Sequence, residues 1–130
     1  MTKEEHISYW LEQADDSWES AVALINSKRY MMALFCWHLT IEKLLKALWV
    51  KNNTDNYPPR THNLKYLHDE AKLCLSIEWQ AELLTINSWN IEGRYPEYQT
   101  KLYKSINKDY IDNKSQTILN IKICLQEILQ

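Results

Sequence analysis

With 130 residues, 45% of them apolar and including six Trp and eight Tyr, the chain is long enough for one domain with a substantial core and too hydrophobic to stay disordered. A formal charge of -2 and a pI near 6.1 exclude a protein that coats nucleic acid by bulk positive charge, although a local basic patch remains open to it. One Gly and three Pro leave almost no turn chemistry for a sheet, so residues 1–130 are expected to form a single all-α domain, an antiparallel up-and-down bundle of four to five helices.

The first helix is expected from about Glu4 to Asn26, because Ile7, Trp10, Leu11, Ala14, Trp18, Ala21, Val22 and Ile25 recur at three-and-four spacing. Glu4 and Glu5 suit its positive end. Asn26 to Arg29 is a short polar connection, which folds the second helix back against the first. That second helix, Tyr30–Lys51, is the longest run without Gly or Pro, and Met31, Leu34, Phe35, Ile41, Leu45, Leu48 and Trp49 gather on one face. The polar stretch from Asn52 to Arg60 contains Pro58 and Pro59 and reads as a loop. Thr61 or Asn63 caps a third helix with Leu64, Leu67, Ala71 and either Cys74 or Leu75 inward. A fourth runs from about Ile77 to Trp89 with Trp79, Leu83 and Ile86 inward. Gly93 reads as a helix stop that Pro96 keeps from resuming, and Glu97 to Tyr110 reads as loop with at most a short helix. The last helix begins at Asp112 and runs through Ile118, Ile121, Leu125 and Ile128.

Cys36, Cys74 and Cys124 are odd in number and lack CxxC spacing, as expected of reduced thiols buried as small hydrophobes in a cytoplasmic protein. No signal-peptide pattern is visible, and charge breaks every apolar run before the ~20 residues a membrane span requires, so no membrane association is expected.

Three places can carry chemistry. His38, Glu42 and Lys46 stack one turn apart inside the apolar face of the second helix, where an unpartnered ionisable group costs several kcal/mol. They form either a polar bridge, Glu42 being held by Lys46 or a Tyr hydroxyl, or the floor of a ligand crevice. A metal site is disfavoured, because His6, His62 and His68 do not supply the paired Glu-x-x-His spacing of di-metal bundles. The second place is Arg60-Thr61-His62 with Lys65, cations beside a helix start that suit a phosphate or are merely a cap and a solvated loop. The third is Arg94-Tyr95-Pro96. Arg94 suits bidentate phosphate or carboxylate contacts and Tyr95 can stack on a base, or Arg94 ties the loop back to helix carboxylates. No phosphate-cradling Gly-rich loop, nucleophile elbow or Cys/His pair is present, and no cofactor is expected.

The succession Tyr30, Phe35, His38, Glu42-Lys43-Leu44-Leu45-Lys46-Ala47-Leu48, then Pro59, Thr61-His62-Asn63-Leu64, then Arg94-Tyr95-Pro96, resembles the HEPN domain. This is a helical module of prokaryotes and higher eukaryotes often encoded beside minimal nucleotidyltransferases. The resemblance spans nearly the whole chain. It implies a helical bundle that commonly forms a homodimer and binds a nucleotide or RNA in a crevice between helices, with Glu42, Lys46, His62, Arg94 and Tyr95 as the candidate site. One departure bears on activity. The ribonuclease branch of the family has four to six residues between an Arg and a following His, whereas Gln99, Thr100 and Lys101 stand at those positions after Arg94. The expected function is therefore a nucleotide-binding or interaction module, acting with a minimal nucleotidyltransferase and without catalysis of its own. The alternatives are an atypical ribonuclease, the toxin of a toxin-antitoxin pair using Arg94 with His62, and a purely structural adaptor.

Overall fold

The computed structural model describes residues 1–92 and 94–130. Its six helices are α1 (Lys3–Asn26), α2 (Tyr30–Asn52), α3 (Leu64–Glu70), α4 (Ile77–Asn87), α5 (Pro96–Ser105) and α6 (Lys108–Leu129), with no strand among the described residues. The all-α bundle is the fold that the sequence leads one to expect. Gly93, read above as a helix stop, lies outside the described residues.

α1 begins at Lys3 because Thr2 and Glu5 form a capping box. The Thr2 hydroxyl accepts from the Glu5 N–H, and the Glu5 carboxylate accepts from the Thr2 N–H. Its stop uses no glycine. Lys28 takes the left-handed region with φ 63°, and the Arg29 N–H reaches back to the Leu24 carbonyl at 2.7 Å. Lys72, φ 60°, ends α3 in the same way, with the Leu73 N–H on the His68 carbonyl at 3.2 Å. A left-handed residue with a side chain costs about 1–2 kcal/mol, which the recovered carbonyl bonds help to offset.

α1 and α2 form an antiparallel hairpin. The small buried residues Ala14, Ser17 and Ala21 line the α1 side, so the two axes can approach closely, and Lys43 donates across to Ser17 Oγ at 2.9 Å. Val22, expected in this stripe, is exposed. Lys3 Nζ donates to the Val50 and Asn53 carbonyls at 2.7 and 2.8 Å, which closes the C-terminal end of α2 with the start of α1.

α2 is the centre of the bundle and packs against α1, α3, α4 and α6. Instead of burying one face it is buried nearly all round: Ala33, Trp37, Leu44, Ala47 and Val50 join Leu34, Ile41, Leu45 and Leu48 in the core. Helices that are apolar on every side are those with neighbours on every side. Lys51 Nζ donates to the Ile128 carbonyl at 2.7 Å, so the C-terminal ends of α2 and α6 meet and the two helices run the same way. α3 and α4 carry the chain back between them. Leu75, not Cys74, is the inward residue after α3. The expectation of three buried thiols holds for Cys36 and fails for Cys74, which is exposed; Cys124 is partly exposed.

Two corrections concern the segment after Trp89. Pro96 does not delay the helix but opens it, as the first residue of α5 behind Tyr95, a position where its missing N–H is not needed. The supposed loop from Glu97 to Tyr110 is mostly helix. α5 has no buried residue, and α6 starts at Lys108, four residues earlier than expected, because Asn107 caps it by accepting from the Tyr110 N–H at 2.9 Å.

Candidate functional site

The site grows from the central helix. His38, Glu42 and Lys46 stand one turn apart on α2 and are respectively 0%, 3% and 8% exposed, so all three must find partners inside the fold. Glu42 finds two. Its Oε2 accepts from Lys46 Nζ at 3.2 Å, and its Oε1 accepts from His62 Nδ1 at 2.7 Å. Lys46 also lies over the Trp10 ring of α1, 5.2 Å from its centroid, a cation–π contact that helps hold the ammonium in a nearly closed setting.

His62 reaches Glu42 because its neighbours are fixed. Pro58 and Pro59 keep the loop from continuing α2, Asn63 caps α3 by accepting from the Tyr66 N–H, and Leu64 and Leu67 are fully buried. The Leu64 N–H donates to Asn87 Oδ1 at 3.1 Å, which ties this start to the end of α4. With Nδ1 given to Glu42, His62 turns Nε2 outward. Its side chain is half exposed, and Nε2 lies 3.8 Å from Glu92 Oε2.

His38 holds the same loop from below. Its Nε2 donates to the His62 carbonyl at 3.2 Å, which places the ring proton there. Burial pushes the pKa of His38 below its ordinary value of 6.5, against the pull of Glu42. The ring is then neutral, and its Nδ1 is a bare lone pair facing another acceptor, Glu42 Oε1, at 3.9 Å. That accounts for Nδ1 having no hydrogen-bond partner. A pH dependence follows. Below pH 6.5 the unfolded chain takes up a proton that native His38 resists, so its contribution, complete above 6.5, is lost as pH falls toward the lowered native value. Urea unfolding between pH 7.5 and 5.5 is expected to show stability falling by at most about 1.4 kcal/mol per pH unit from this group. His38→Gln, which can still donate to the His62 carbonyl, is expected to flatten the slope. An unchanged slope would assign it to other groups.

Lys65, in the first turn of α3, and Arg94, on the loop after α4, meet different ends. Lys65 is bonded to both carboxylate oxygens of Asp69, at 2.8 and 2.7 Å, and with His68 holds the Asp69 carboxyl below its usual range. Lys65 is therefore engaged by its own helix. Arg94 is exposed and does not tie back to a carboxylate among the described residues. Its Nε donates to the Asn90 carbonyl at 3.2 Å and its guanidinium lies 4.5 Å from the centre of the Tyr98 ring. Tyr95 is 80% exposed.

Of the five residues marked from sequence, Glu42, Lys46 and His62 thus form one bonded cluster. Arg94 and Tyr95 stand apart from it on the next loop, whose Glu92 approaches His62. Glu92 and Trp10 were not foreseen; no local spacing relates either to Glu42, and only folding brings them near. No group of three or more His, Cys, Asp or Glu side chains among the described residues is arranged to hold a metal ion. No helix among them is long and apolar enough to cross a membrane.

A profile of the HEPN domain matches residues 7–125, from the first turns of α1 to the last turns of α6. Comparison with curated proteins and with solved structures gives no significant match. The match spans nearly the whole chain and includes each stretch that builds the cluster, so the chain belongs to the HEPN domain family, a helical module related in general to nucleotides and RNA.

Proposed function

We propose that the chain is a HEPN module that binds a nucleotide, or a nucleotide-bearing partner such as RNA, without cleaving it. The observation that carries this reading is His62: a buried carboxylate fixes one of its ring nitrogens and leaves the other facing out beside the loop that carries Arg94 and Tyr95. His62, Arg94 and Tyr95 would meet the ligand. Arg94 supplies a guanidinium for phosphate and Tyr95 an exposed ring for stacking. Glu42 and Lys46, nearly closed from solvent, set the position of His62.

Binding without cleavage is supported by Gln99, which stands five residues after Arg94 where the ribonuclease branch has room for its His. Its amide donates to the Ile91 and Arg94 carbonyls at 3.3 and 3.2 Å, a brace for the loop and not a group that can carry a proton. A homodimer and a minimal nucleotidyltransferase as partner belong to the same reading. Ile77 and Leu84, seven residues apart on α4 and exposed, support an apolar contact surface.

The test is calorimetric titration with AMP and ATP beside a gel of a short single-stranded RNA. Arg94→Ala is expected to weaken AMP binding about tenfold or more while leaving the unfolding free energy within about 0.5 kcal/mol of the parent, since Arg94 is exposed and unburdened by a buried partner. Loss of folding in that variant, or RNA cleavage that Arg94→Ala abolishes, would contradict the reading.

A further inference from the structure

Where α1 turns into α2, the chain sets two cations side by side. Lys28 ends α1 in the left-handed region and Arg29 directly precedes α2, and both line a groove of about 400 Å³ with Tyr30, Met31 and Tyr103. An adjoining recess of about 170 Å³ lies among Lys28, Tyr30, Met31, Tyr103 and Ile106. Tyr103, in the last turn of α5, forms a wall of both spaces and is 69% exposed. Small-molecule sites take roughly 300–1,000 Å³ and a space of about 150 Å³ accepts a benzene ring, so the groove has room for a sugar-phosphate unit and the recess for one six-membered ring.

Charge and aromatic surface narrow the occupant. Among the described residues, no Asp or Glu lines either space. Lys46, Lys65, Lys108 and Lys114 each pair with a carboxylate, whereas Lys28 and Arg29 pair with none among the described residues, so their charge is left for a partner. Glu4, Glu5 and Glu12 line a groove toward the start of α1, a helix of 24 residues and thus about 36 Å long. An anion is therefore drawn to the turn and repelled from the other end of the same helix. Cations alone would suit any anion. The rings beside them select one that carries a flat ring next to its charge, and Tyr103 shares its ring with no other aromatic side chain among the described residues.

We propose that this groove is a docking surface for single-stranded RNA, with a base against Tyr103 and the adjoining phosphates on Lys28 and Arg29. The proposal deepens the nucleotide reading and rests on it, because it takes an RNA strand and not a free nucleotide as the ligand. Arg94 lies just before α5 and Tyr103 in its last turn, so the two ends of a helix of 10 residues, about 15 Å, offer separate contacts. A strand of several nucleotides reaches both, and a mononucleotide only one.

Fluorescein-labelled octauridylate, followed by anisotropy between about 50 and 200 mM salt, and AMP, followed by calorimetry, separate the two contacts. They are titrated into the parent protein, Tyr103→Ala, Lys28→Gln/Arg29→Gln and Arg94→Ala, with thermal melts to establish that each variant is folded. Tyr103→Ala is expected to weaken octauridylate about tenfold, the order lost with one base–aromatic stack, and to leave AMP unchanged. Lys28→Gln/Arg29→Gln is expected to weaken octauridylate and to reduce the slope of log affinity against log salt by about 1.4, the share of two phosphates on a single strand. Arg94→Ala is expected to weaken both ligands. RNA binding that needs Arg94 and ignores Tyr103 and the two cations would overturn the groove while the nucleotide reading stands. RNA binding that falls in the charge variant but not in Tyr103→Ala would show bulk attraction to the turn and overturn the docking surface. RNA binding that needs the groove, with AMP unbound and Arg94→Ala without effect, would keep the surface and overturn the site at Arg94. Labelled octaglutamate bound as tightly as the RNA would assign the groove to an acidic protein segment and overturn the proposal. No binding of octauridylate while AMP still binds would overturn the surface outright.

Discussion

Glu42→Ala is expected to destabilise the protein by about 3–5 kcal/mol, the cost of removing one partner from a buried ion pair and leaving the other uncompensated. Lys46 is 8% exposed and Glu42 is the carboxylate that bonds it, so the ammonium would be left with the face of Trp10 and little water. His62 would lose its 2.7 Å bond at the same moment, and with it the tie between the long loop and α2. For a domain of this size the melting temperature should fall by on the order of 10–20 °C. Glu42→Gln keeps an acceptor for His62 but not the charge for Lys46, and should cost less, about 1–3 kcal/mol. The decisive comparison is the double variant Glu42→Ala/Lys46→Met. If the loss comes from the stranded ammonium, removing it should recover much of the stability, and the coupling in the cycle should be of the order of 1–3 kcal/mol. A single variant as stable as the parent, or no recovery in the double, would mean that water reaches Lys46 freely and that the cluster is not a buried bridge.

The same residues show what was legible in the sequence. α1 and α2 were read to within a residue of their ends, because long helices with a core to cover repeat their apolar residues often enough to be seen. Glu42 was visible as a group in need of a partner, and Lys46, four residues on, as one answer. His62 was not, because twenty residues and a double proline separate it from Glu42, and the loop that returns it is fixed only when Leu64 and Leu67 enter the core. α5 was legible only as at most a short helix inside a loop, for the opposite reason. A mostly polar helix with no fully buried residue leaves few apolar positions to read, and Pro96, which reads as a breaker, is its first residue. Arg94 was expected to find either a ligand or a carboxylate; its neighbour is Tyr98, one turn along a helix that the sequence only partly revealed. Ser17 escaped notice in the α1 stripe because it is polar, yet its small size fits the close hairpin and Lys43 satisfies its hydroxyl.

Trp89→Ala should have an effect as large as that of Glu42→Ala, and should also reach the loop that carries Arg94. Trp89 lies just beyond α4 and is fully buried. Its ring lies 6.0 Å from that of Trp37 on α2 and edge-on to Tyr110 of α6 at 6.2 Å, and its Nε1–H donates to the Tyr110 hydroxyl at 2.9 Å. One side chain thus joins three helices directly before Asn90, whose carbonyl holds Arg94. Truncating a buried Trp costs about 3–5 kcal/mol through lost burial and the cavity left behind. Trp89→Phe keeps most of the aromatic packing but deprives Tyr110 of its donor, and about 1–2 kcal/mol is expected. The binding consequence is separable from the folding one. The loop has a second anchor, the Tyr98 hydroxyl on the Ser88 carbonyl, so part of its order should survive in either variant. At a temperature where Trp89→Ala is still fully folded by circular dichroism, AMP should bind several-fold more weakly than to the parent, because Arg94 rests on the Asn90 carbonyl directly after the lost anchor. Trp89→Phe should bind nearly as the parent does. If both variants bind AMP as the parent does while Trp89→Ala loses the expected stability, the loop is set by Tyr98 and Gln99 and not by the core; if Trp89→Ala loses no stability, the three-helix junction at Trp89 is not a packed one.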